Sequence, residues 1–364
     1  MSTTDLRIVE LRPPQVYGGD NQWIFDGVYS LDSELEIALH GNNDLVHDAA
    51  FEVAWFNDET NQLRLWGLAL FGPDGDPNSV VGVTSIVIDK ADTRMVDHTL
   101  SVRPAYRNQG IGSALLAWMN AHPLVKGRTF FVNWQSDFTA ADDLGEQLLA
   151  PTGSGSAPAA TPGLQFALKR GYTFEQVERM SVLPLPVDAS LLAEFEAEAL
   201  RKADGYTTLT WHNTLPPEHL GRFADAMTSI SADAPRGDMQ YQDDLWDAGR
   251  VERRLARLLA TGYETLITIA IHDATGETAA MTFIAWQSGK LFGQQEETVV
   301  LRGHRGHRLG MLLKARNLVA LHDVAPTLER IYTWNAEEND YMLSINVTLG
   351  FIPAGGNCIL QKLL

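Results

Sequence analysis

The order of strands and helices that the sequence predicts for residues 1–187 occurs a second time in residues 188–364. In each half, an apolar strand-like run leads through a turn containing glycine and arginine into an amphipathic helix. The two turns read RPAYRNQGIG at 103–112 and RGHRGHRLG at 302–310. One hydrophobic core rarely grows beyond about 250–300 residues. The repeat therefore predicts two tandem domains, 1–187 and 188–364.

The predicted elements follow from hydrophobic periodicity and turn residues. In the first half we predict strands at 6–11, 64–71, 80–88, 95–102, 128–134 and 172–183, and helices at 22–39, 111–121 and 164–170. In the second half we predict strands at 206–211, 265–271, 279–286, 295–301, 330–334 and 357–363, and helices at 218–227, 251–260, 309–321 and 337–349. The segment PTGSGSAPAATPG at 151–163 is rich in small residues and predicts a flexible insertion in the first domain.

Charge and cysteine content narrow the possible partners. The formal net charge of −18 repels phosphate backbones and anionic lipids, so we expect no nucleic-acid or membrane partner. The acidic field could attract a cationic amine, or it could simply keep the surface soluble. Cys358 is the sole cysteine, which excludes an intrachain disulfide and a cysteine-based zinc site. We expect a cytoplasmic protein without a metal, as a monomer or homodimer.

The first turn has the chemistry of an anion site. Gly110 and Gly112 allow the backbone to approach a ligand closely, because no Cβ stands in the way. The free N–H groups and the dipole of the following helix favour a pyrophosphate, and Arg107 adds positive charge. A third glycine at Rossmann spacing and the Gly-Lys-Ser/Thr of a Walker loop are both absent.

This turn resembles the pyrophosphate loop of the GNAT superfamily of N-acetyltransferases, Arg/Gln-x-x-Gly-x-Gly/Ala after a strand. The resemblance extends over nearly the whole chain. The two halves together resemble the tandem-domain members of the superfamily, which include mycothiol synthase. It implies an α/β (α+β) fold of two tandem domains, each a mixed, mainly antiparallel sheet of six to seven strands flanked by helices. It also implies acetyl-CoA (coenzyme A) as the cofactor. In the first half it assigns cofactor binding to Leu100, Ser101, Val102, Arg107, Asn108, Gln109, Gly110, Ile111, Gly112 and Ser113.

The second half matches the same family less closely at its turn and more closely at its end. Arg308 stands where the first motif glycine belongs, which puts tight wrapping of a pyrophosphate in doubt. The sequence NAEEN at 335–339, followed by the LGF at 349–351, resembles the strand end and terminal box that border the pantetheine arm. The resemblance assigns cofactor binding in this half to Val300, Arg305, Gly306, His307, Arg308, Leu309, Gly310, Asn335 and Asn339.

A base must take the proton of the attacking amine. His98 and Glu296 each stand four residues before the pantetheine-binding valine of their half, on the same strand face as that valine. In this respect the first half resembles serotonin N-acetyltransferase, a member of the superfamily that has a catalytic histidine at the position of His98. We therefore predict His98 and Glu296 as catalytic residues, and we expect Asp97 to face solvent.

The usual tyrosine that protonates the departing thiolate is missing from both halves. Its places are taken by Ala167 and Asn346. The resemblance implies an acyl-CoA-dependent N-acetyltransferase that moves an acetyl group to a primary amine of a small molecule by direct attack in a ternary complex. Two alternatives stay open: a mycothiol-synthase-like acetyltransferase and a non-catalytic acyl-CoA-binding sensor or scaffold.

Overall fold

A computed structural model describes residues 6–134, 136–140, 145–233, 235, 237–240 and 242–364. The described residues form two compact units. Unit 1 comprises those within Met1–Val177, Gly237–Tyr241 and Gly356–Leu364, and unit 2 those within Glu178–Arg236 and Gln242–Gly355. The predicted domain boundary near residue 187 lies beyond this division and stays a prediction.

Unit 1 follows the predicted order of elements, with one helix and three short strands that the sequence pattern did not indicate. Its helices are α1 (Gln22–His40), α2 (Ala49–Phe56), α3 (Ile111–Ala121) and α4 (Pro162–Leu168). Its strands are β1 (Arg7–Leu11), β2 (Gln62–Leu70), β3 (Val80–Asp89), β4 (Met95–Val102), β5 (Phe130–Asn133), β6 (Asp137–Thr139), β7 (Gln147–Leu149), β8 (Ser156–Pro158) and the start of β9 (Thr173–Pro184). The extra helix, α2, is apolar on nearly all sides and has no amphipathic period.

Strand alternation places the helices of unit 1 on two faces of its sheet. The strand order is β1-β2-β3-β4-β5, followed by the end of β15 (Ile352–Leu363), and only β4 and β5 are parallel. On one face, α1 and α2 bury residues such as Phe25 and Phe56 against Trp66 and Leu68 of β2. On the other face, α3 and α4 pack against the opposite side chains of β2, β3 and β4.

The segment at 151–163 is ordered, which differs from the flexible insertion that its composition predicts. Strand β8 pairs with β7 in a short antiparallel hairpin, and α4 begins at Pro162. Ala157 is fully buried in the core, and Gly153 and Gly155 have positive φ in the connecting turn. The small residues thus serve close packing and a tight turn.

Unit 2 repeats this plan. Its helices are α5 (Ala189–Leu200), α6 (Pro217–Asp233), α7 (Ala248–Ala260), α8 (Leu309–Val324) and α9 (Asp340–Leu349). Its strands are β10 (Tyr206–His212), β11 (Tyr263–His272), β12 (Thr278–Gln287), β13 (Phe292–Val300) and β14 (Arg330–Ala336). They pair in the order β10-β11-β12-β13-β14, and residues 178–184 of β9 add a sixth strand beside β14. Only β13 and β14 are parallel.

The strand register shows that the repeat extends to irregular details. In unit 1, the pairing of β2 with β3 shifts between Ala69 and Leu70. In unit 2, the pairing of β11 with β12 shifts between Ala270 and Ile271. The predicted tandem organisation is therefore visible in the backbone of both units. Within the described residues, no helix is both long and apolar enough to cross a membrane.

Candidate active site

The turn after β4 has an open backbone at the start of a helix. Asn108 and Gly110 have φ values of 61° and 87°, and Gly110 is the N-cap of α3. A Cβ added to Gly110 would meet no atom within 4 Å. The first hydrogen bond of α3 runs from Ala114 N–H to Gly110 O, so the N–H groups of Ile111 to Ser113 have no partner within the helix. The turn therefore offers unpaired donors to an anion.

The side chains around this turn leave its positive charge available. Arg107 Nε donates to Val102 O at 3.2 Å, and this turn residue has no carboxylate partner among the described residues. Gln109 Nε2 donates to Ala105 O at 3.1 Å. Ser113 Oγ accepts a hydrogen bond from Arg170 Nη2 at 2.7 Å, which brings a second guanidinium to the start of α3.

Other predicted cofactor residues of the first half serve packing and strand pairing. Ile111 is buried against α3 and β3 neighbours, and half-buried Leu100 packs in the same region. Gly112 leaves space for the ring of Phe166, whose nearest atom would lie 3.1 Å from an added Cβ. Along one edge of β4, Leu100, Ser101 and Val102 pair with β3.

The equivalent turn of unit 2 has the same backbone shape and different electrostatics. Gly306 and Arg308 have φ values of 87° and 56°, and Arg308 is the N-cap of α8. A left-handed conformation costs a non-glycine residue roughly 1–2 kcal/mol. Arg305 Nη2 pairs with Asp233 Oδ2 at 2.7 Å, and Arg308 pairs with Glu198. Two carboxylates therefore already neutralise the arginines that would meet a pyrophosphate here.

The remaining predicted residues of this turn are also engaged by the protein. His307 Nδ1 lies 3.1 Å from Lys202 O. Leu309 and Gly310 are buried in the first turn of α8, where Gly310 leaves space for Ile345. Val300 is buried against α8, and its carbonyl accepts a hydrogen bond from Arg305 Nε.

Within the described residues, no group of histidine, cysteine or acidic side chains could hold a metal ion.

Strands β4 and β5 separate at His98. Their parallel pairing ends with Asp97 opposite Val132. Beyond that pair, Asn133 Nδ2 donates to His98 O at 2.9 Å and bridges the start of the gap. Past this bridge, the edge of β4 that faces β5 has no strand partner among the described residues. Main-chain groups of β4 beyond His98 on this edge are therefore available to a bound thioester, apart from Val102 O, which accepts a hydrogen bond from Arg107 Nε.

His98 lies on the α3 and α4 side of the sheet and is 5% exposed. Its Nε2 atom is 2.7 Å from the hydroxyl of Tyr172, and its Nδ1 atom is buried without a hydrogen-bond partner. Burial lowers the pKa of His98 to about 4 and raises the pKa of Tyr172 above its usual value. The imidazole is therefore neutral at physiological pH and weakly basic. Tyr172 lies 74 residues away in the sequence, and no local pattern links it to His98.

Asp97 is half-buried, whereas the sequence led us to expect a solvent-facing side chain. It points to the α1 and α2 side of β4, in the same cross-strand row as Arg64 and Val87. The surrounding protein raises its pKa to about 7 by desolvation, although Arg64 opposes that shift. A carboxylate with such a pKa is suited to accept a proton near neutral pH.

Four further carboxyl groups surround the same side of the sheet. They belong to Asp32 and Glu36 of α1, Glu52 of α2 and Asp137 of β6. Burial raises the pKa of Asp32, Glu36 and Asp137 to about 7 and that of Glu52 to about 8. Repulsion from Asp32 also raises the pKa of Glu36 and of Glu52. These groups share the side of β4 that Asp97 faces.

A β-bulge changes the comparison between the two units. The pairing of β12 with β13 shifts between Thr282 and Ile284, which adds one residue to β13. As a result, Gln295 lies opposite Ile284 in the way that His98 lies opposite Ile86. Counting back from the valine matches Glu296 with His98, but the observed register makes Gln295 the structural equivalent. The extra residue is absorbed at Glu296 and Glu297.

Both glutamates of the bulge contact one arginine of α7. Arg254 Nη2 is 3.0 Å from Glu296 Oε2, and Arg254 Nη1 is 2.7 Å from Glu297 Oε1. Burial and the neighbouring Glu297 raise the pKa of Glu296, and Arg254 opposes that shift. Glu296, predicted as catalytic, is therefore tied to an internal cation.

Asn335, a predicted cofactor residue of unit 2, belongs to a polar chain with the buried residues Lys314 and Asn346. Lys314 of α8 is 2% exposed, and its Nζ donates to Asn346 Oδ1 at 2.8 Å. Asn346 Nδ2 donates to Asn335 Oδ1 at 2.7 Å. Burial lowers the pKa of Lys314 to about 7. Asn339 instead caps α9 by accepting from Met342 N–H, so its side chain is committed to the helix.

Comparisons with known proteins agree with this architecture. Residues 73–143 match the family described as acetyltransferase (GNAT) domain. The chain is similar to a tandem GNAT protein from the clavulanic acid biosynthesis pathway, with 21% identity, a TM-score of 0.70 and 98% of each chain covered. It is also similar to a GCN5-related N-acetyltransferase from Sphaerobacter thermophilus, with 12% identity, a TM-score of 0.56 and 98% of this chain and 95% of that chain covered.

A third structure covers 98% of this chain and 38% of its own, with 12% identity and a TM-score of 0.59. It is a GCN5-related glucosamine N-acetyltransferase region of a fungal multi-domain beta-N-acetylglucosaminidase. No curated protein matches the sequence significantly. The predicted fold of two tandem GNAT domains is confirmed, and the domain match supports an N-acetyltransferase.

Proposed function

We propose that this chain, a tandem GNAT-fold protein with an acetyltransferase domain over residues 73–143, transfers an acetyl group from acetyl-CoA to a primary amine of a small molecule. The observation that carries the proposal is the turn at 107–113. It combines two left-handed residues, the unpaired N–H groups at the start of α3 and an arginine without a carboxylate partner among the described residues. This combination suits a pyrophosphate.

The donor is assigned to unit 1. Its pyrophosphate would contact the turn, where Arg107 and the N–H groups of Gly110 to Ser113 supply positive potential. The acyl arm would lie along the free edge of β4 beyond His98, where main-chain N–H groups can polarise a thioester carbonyl. This part of the chain supplies binding and orientation, and the thioester supplies the activated acyl group.

The acceptor is assigned to the α1 and α2 side of β4. The raised pKa of Asp97 makes its carboxylate a candidate base for the amine proton. A positively charged acceptor would lower the raised pKa values of the carboxyl groups on α1, α2 and β6 and so favour their ionised form, and the net charge of −18 would attract such an acceptor. A protonated amine would first release one proton to solvent. Its neutral nitrogen would then form the bond to the acyl carbon and pass a second proton to Asp97, while the carbon–sulfur bond breaks and CoA leaves as a thiolate that takes a proton from solvent.

Unit 2 is assigned a non-catalytic role. Its turn arginines are paired with Asp233 and Glu198, and its bulge glutamates are paired with Arg254. A substrate that used these groups would have to compete with the carboxylates and the arginine already paired with them. A second site that binds acyl-CoA as a sensor is the alternative for this unit, and the chain of Lys314, Asn346 and Asn335 is the feature that favours it.

Titration calorimetry with acetyl-CoA and a thiol-release assay over a panel of amines test the proposal together. We expect one molecule of acetyl-CoA per chain and release of free CoA with at least one amine. Arg107→Gln should weaken binding about 10–100-fold, because it removes one charge-assisted contact worth roughly 1.5–3 kcal/mol. Arg305→Gln, the matched change in unit 2, should leave the affinity within about twofold. Binding that responds only to Arg305→Gln would assign the donor to unit 2 instead.

A further inference from the structure

His98 has a buried nitrogen that nothing in the described protein satisfies. Its Nδ1 atom has no hydrogen-bond partner, and its Nε2 atom contacts only the hydroxyl of Tyr172. The large majority of buried polar atoms in proteins are paired. An unpaired one at the point where β4 and β5 separate therefore points to a partner that arrives with a ligand.

The contact with Tyr172 decides which nitrogen of His98 carries the proton. If Nε2 carried it, the tyrosine oxygen would be the acceptor. The tyrosine hydrogen would then have no acceptor, and the Nδ1 lone pair would have no donor. If Tyr172 donates to Nε2, the only unsatisfied donor is an Nδ1–H group. The second arrangement leaves fewer buried groups unpaired and is the favoured tautomer.

A histidine in this state cannot remove a proton through the nitrogen that is free. Burial of both rings keeps the imidazole neutral and the phenol protonated, so the Nδ1–H group is stable across physiological pH. Asp97, the adjacent residue, points to the opposite face of the strand. The two faces of β4 therefore present different chemistry: an acceptor for protons at Asp97 and a fixed donor of a hydrogen bond at His98.

We propose that His98 is a neutral hydrogen-bond donor to the thioester, through Nδ1–H, and that Tyr172 is the positioning residue that sets this tautomer. The inference rests on the proposed function of unit 1. The donor would stabilise negative charge that develops on the carbonyl oxygen or the departing sulfur during attack, without transfer of its own proton. Such preorganised donors act where charge develops in the transition state. This replaces the role of base that the sequence alone suggested for His98.

Nitrogen-15 NMR of the full chain with labelled histidine reads the tautomer directly. The His98 signal is assigned by its loss in His98→Gln. We expect an Nδ1–H tautomer in the parent protein and a mixed tautomer in Tyr172→Phe, which keeps the ring and removes the hydroxyl. Addition of acetyl-CoA should shift the Nδ1 resonance. An Nε2–H tautomer in the parent would overturn the inference, and so would acetyl-CoA binding that leaves the Nδ1 resonance unchanged.

Two substitutions separate donor from base in turnover. The amide nitrogen of asparagine lies close to the place of Nδ1, whereas that of glutamine lies close to the place of Nε2. We expect His98→Asn to retain most of kcat and His98→Gln to lose about 100-fold, the cost of one such donor, with little change in KM for acetyl-CoA. Equal losses in both variants would contradict a donor at Nδ1. Absence of acetyl-CoA binding in the parent would refute the proposed function instead, because the tautomer is measured without ligand.

Discussion

Replacing Gly110 by alanine is the sharpest test of the donor site, because the structure separates its effect on stability from its effect on binding. Gly110 has φ of 87°, and an added Cβ would meet no protein atom within 4 Å. The left-handed conformation costs alanine roughly 1–2 kcal/mol. Alanine also lowers the conformational entropy of the unfolded chain, which stabilises the folded state by about 0.4–1 kcal/mol. The net loss of stability is about 1 kcal/mol, which a folded domain tolerates.

The effect on binding should be larger than this loss of stability. The new methyl group would stand where a pyrophosphate approaches the backbone, and the variant should lose at least one charge-assisted hydrogen bond worth roughly 1.5–3 kcal/mol. This corresponds to an increase of about 10–100-fold in Kd for acetyl-CoA. Calorimetric titration measures the Kd, and urea unfolding measures the stability.

Gly127→Ala is the matched control. Gly127 has φ of 89°, and an added Cβ there also meets nothing within 4 Å, but the residue lies in the loop between α3 and β5. Both variants should lose the same stability, and only Gly110→Ala should lose affinity. Equal Kd values for the two variants would refute the assignment of the pyrophosphate to this turn.

Three further outcomes follow from the charged groups. Asp97→Asn should lower kcat by a factor of about 10²–10⁴. In the parent, kcat should rise through pH 7, because the Asp97 carboxyl with a pKa of about 7 must be deprotonated to act as the base, and the variant should lose this rise. An unchanged pH–rate profile would show that Asp97 is not the base. The pKa of Lys314 falls to about 7 on folding, so between pH 7 and 10.5 the unfolded chain binds a proton that the folded chain does not, and stability rises with pH. In urea titrations between pH 7 and 9, the stability of the parent should rise by on the order of 2–3 kcal/mol relative to that of Lys314→Met, which has the same other titrating groups; parallel curves would argue against a neutral lysine. Arg254→Ala leaves the two bulge glutamates without their cation. The free energy of unfolding should fall by about 2 kcal/mol at neutral pH and by less at pH 5. An equal decrease at both pH values would mean that Arg254 stabilises the fold by packing and not through its ion pairs.

The turns and the strands beside them were predictable from sequence because their signals are local. Positive φ at Gly110 requires glycine or a strained residue, and alternation within β4 separates the two faces of that strand. Helix α2 escaped prediction because its residues are apolar on nearly every side, which removes the periodicity.

The site itself depends on register, which local signals do not determine. Counting along β13 made Glu296 the counterpart of His98, but one bulge residue moves that place to Gln295. A single inserted residue reverses the face on which every following side chain lies, unless the strand absorbs it at a bulge. The catalytic roles of His98 and Glu296 stay predictions.

By itself, the sequence determined that the chain is a repeat of one fold with a glycine- and arginine-containing turn before a helix in each half, since these features depend on residues close together in the chain. The tertiary structure decided which groups meet: Tyr172 with His98, Arg254 with the bulge glutamates, and Asp233 with Arg305. It also decided the protonation of the candidate site, because a pKa depends on the water and charge that surrounding segments remove or supply. Those segments lie far apart in sequence and are brought together only by folding.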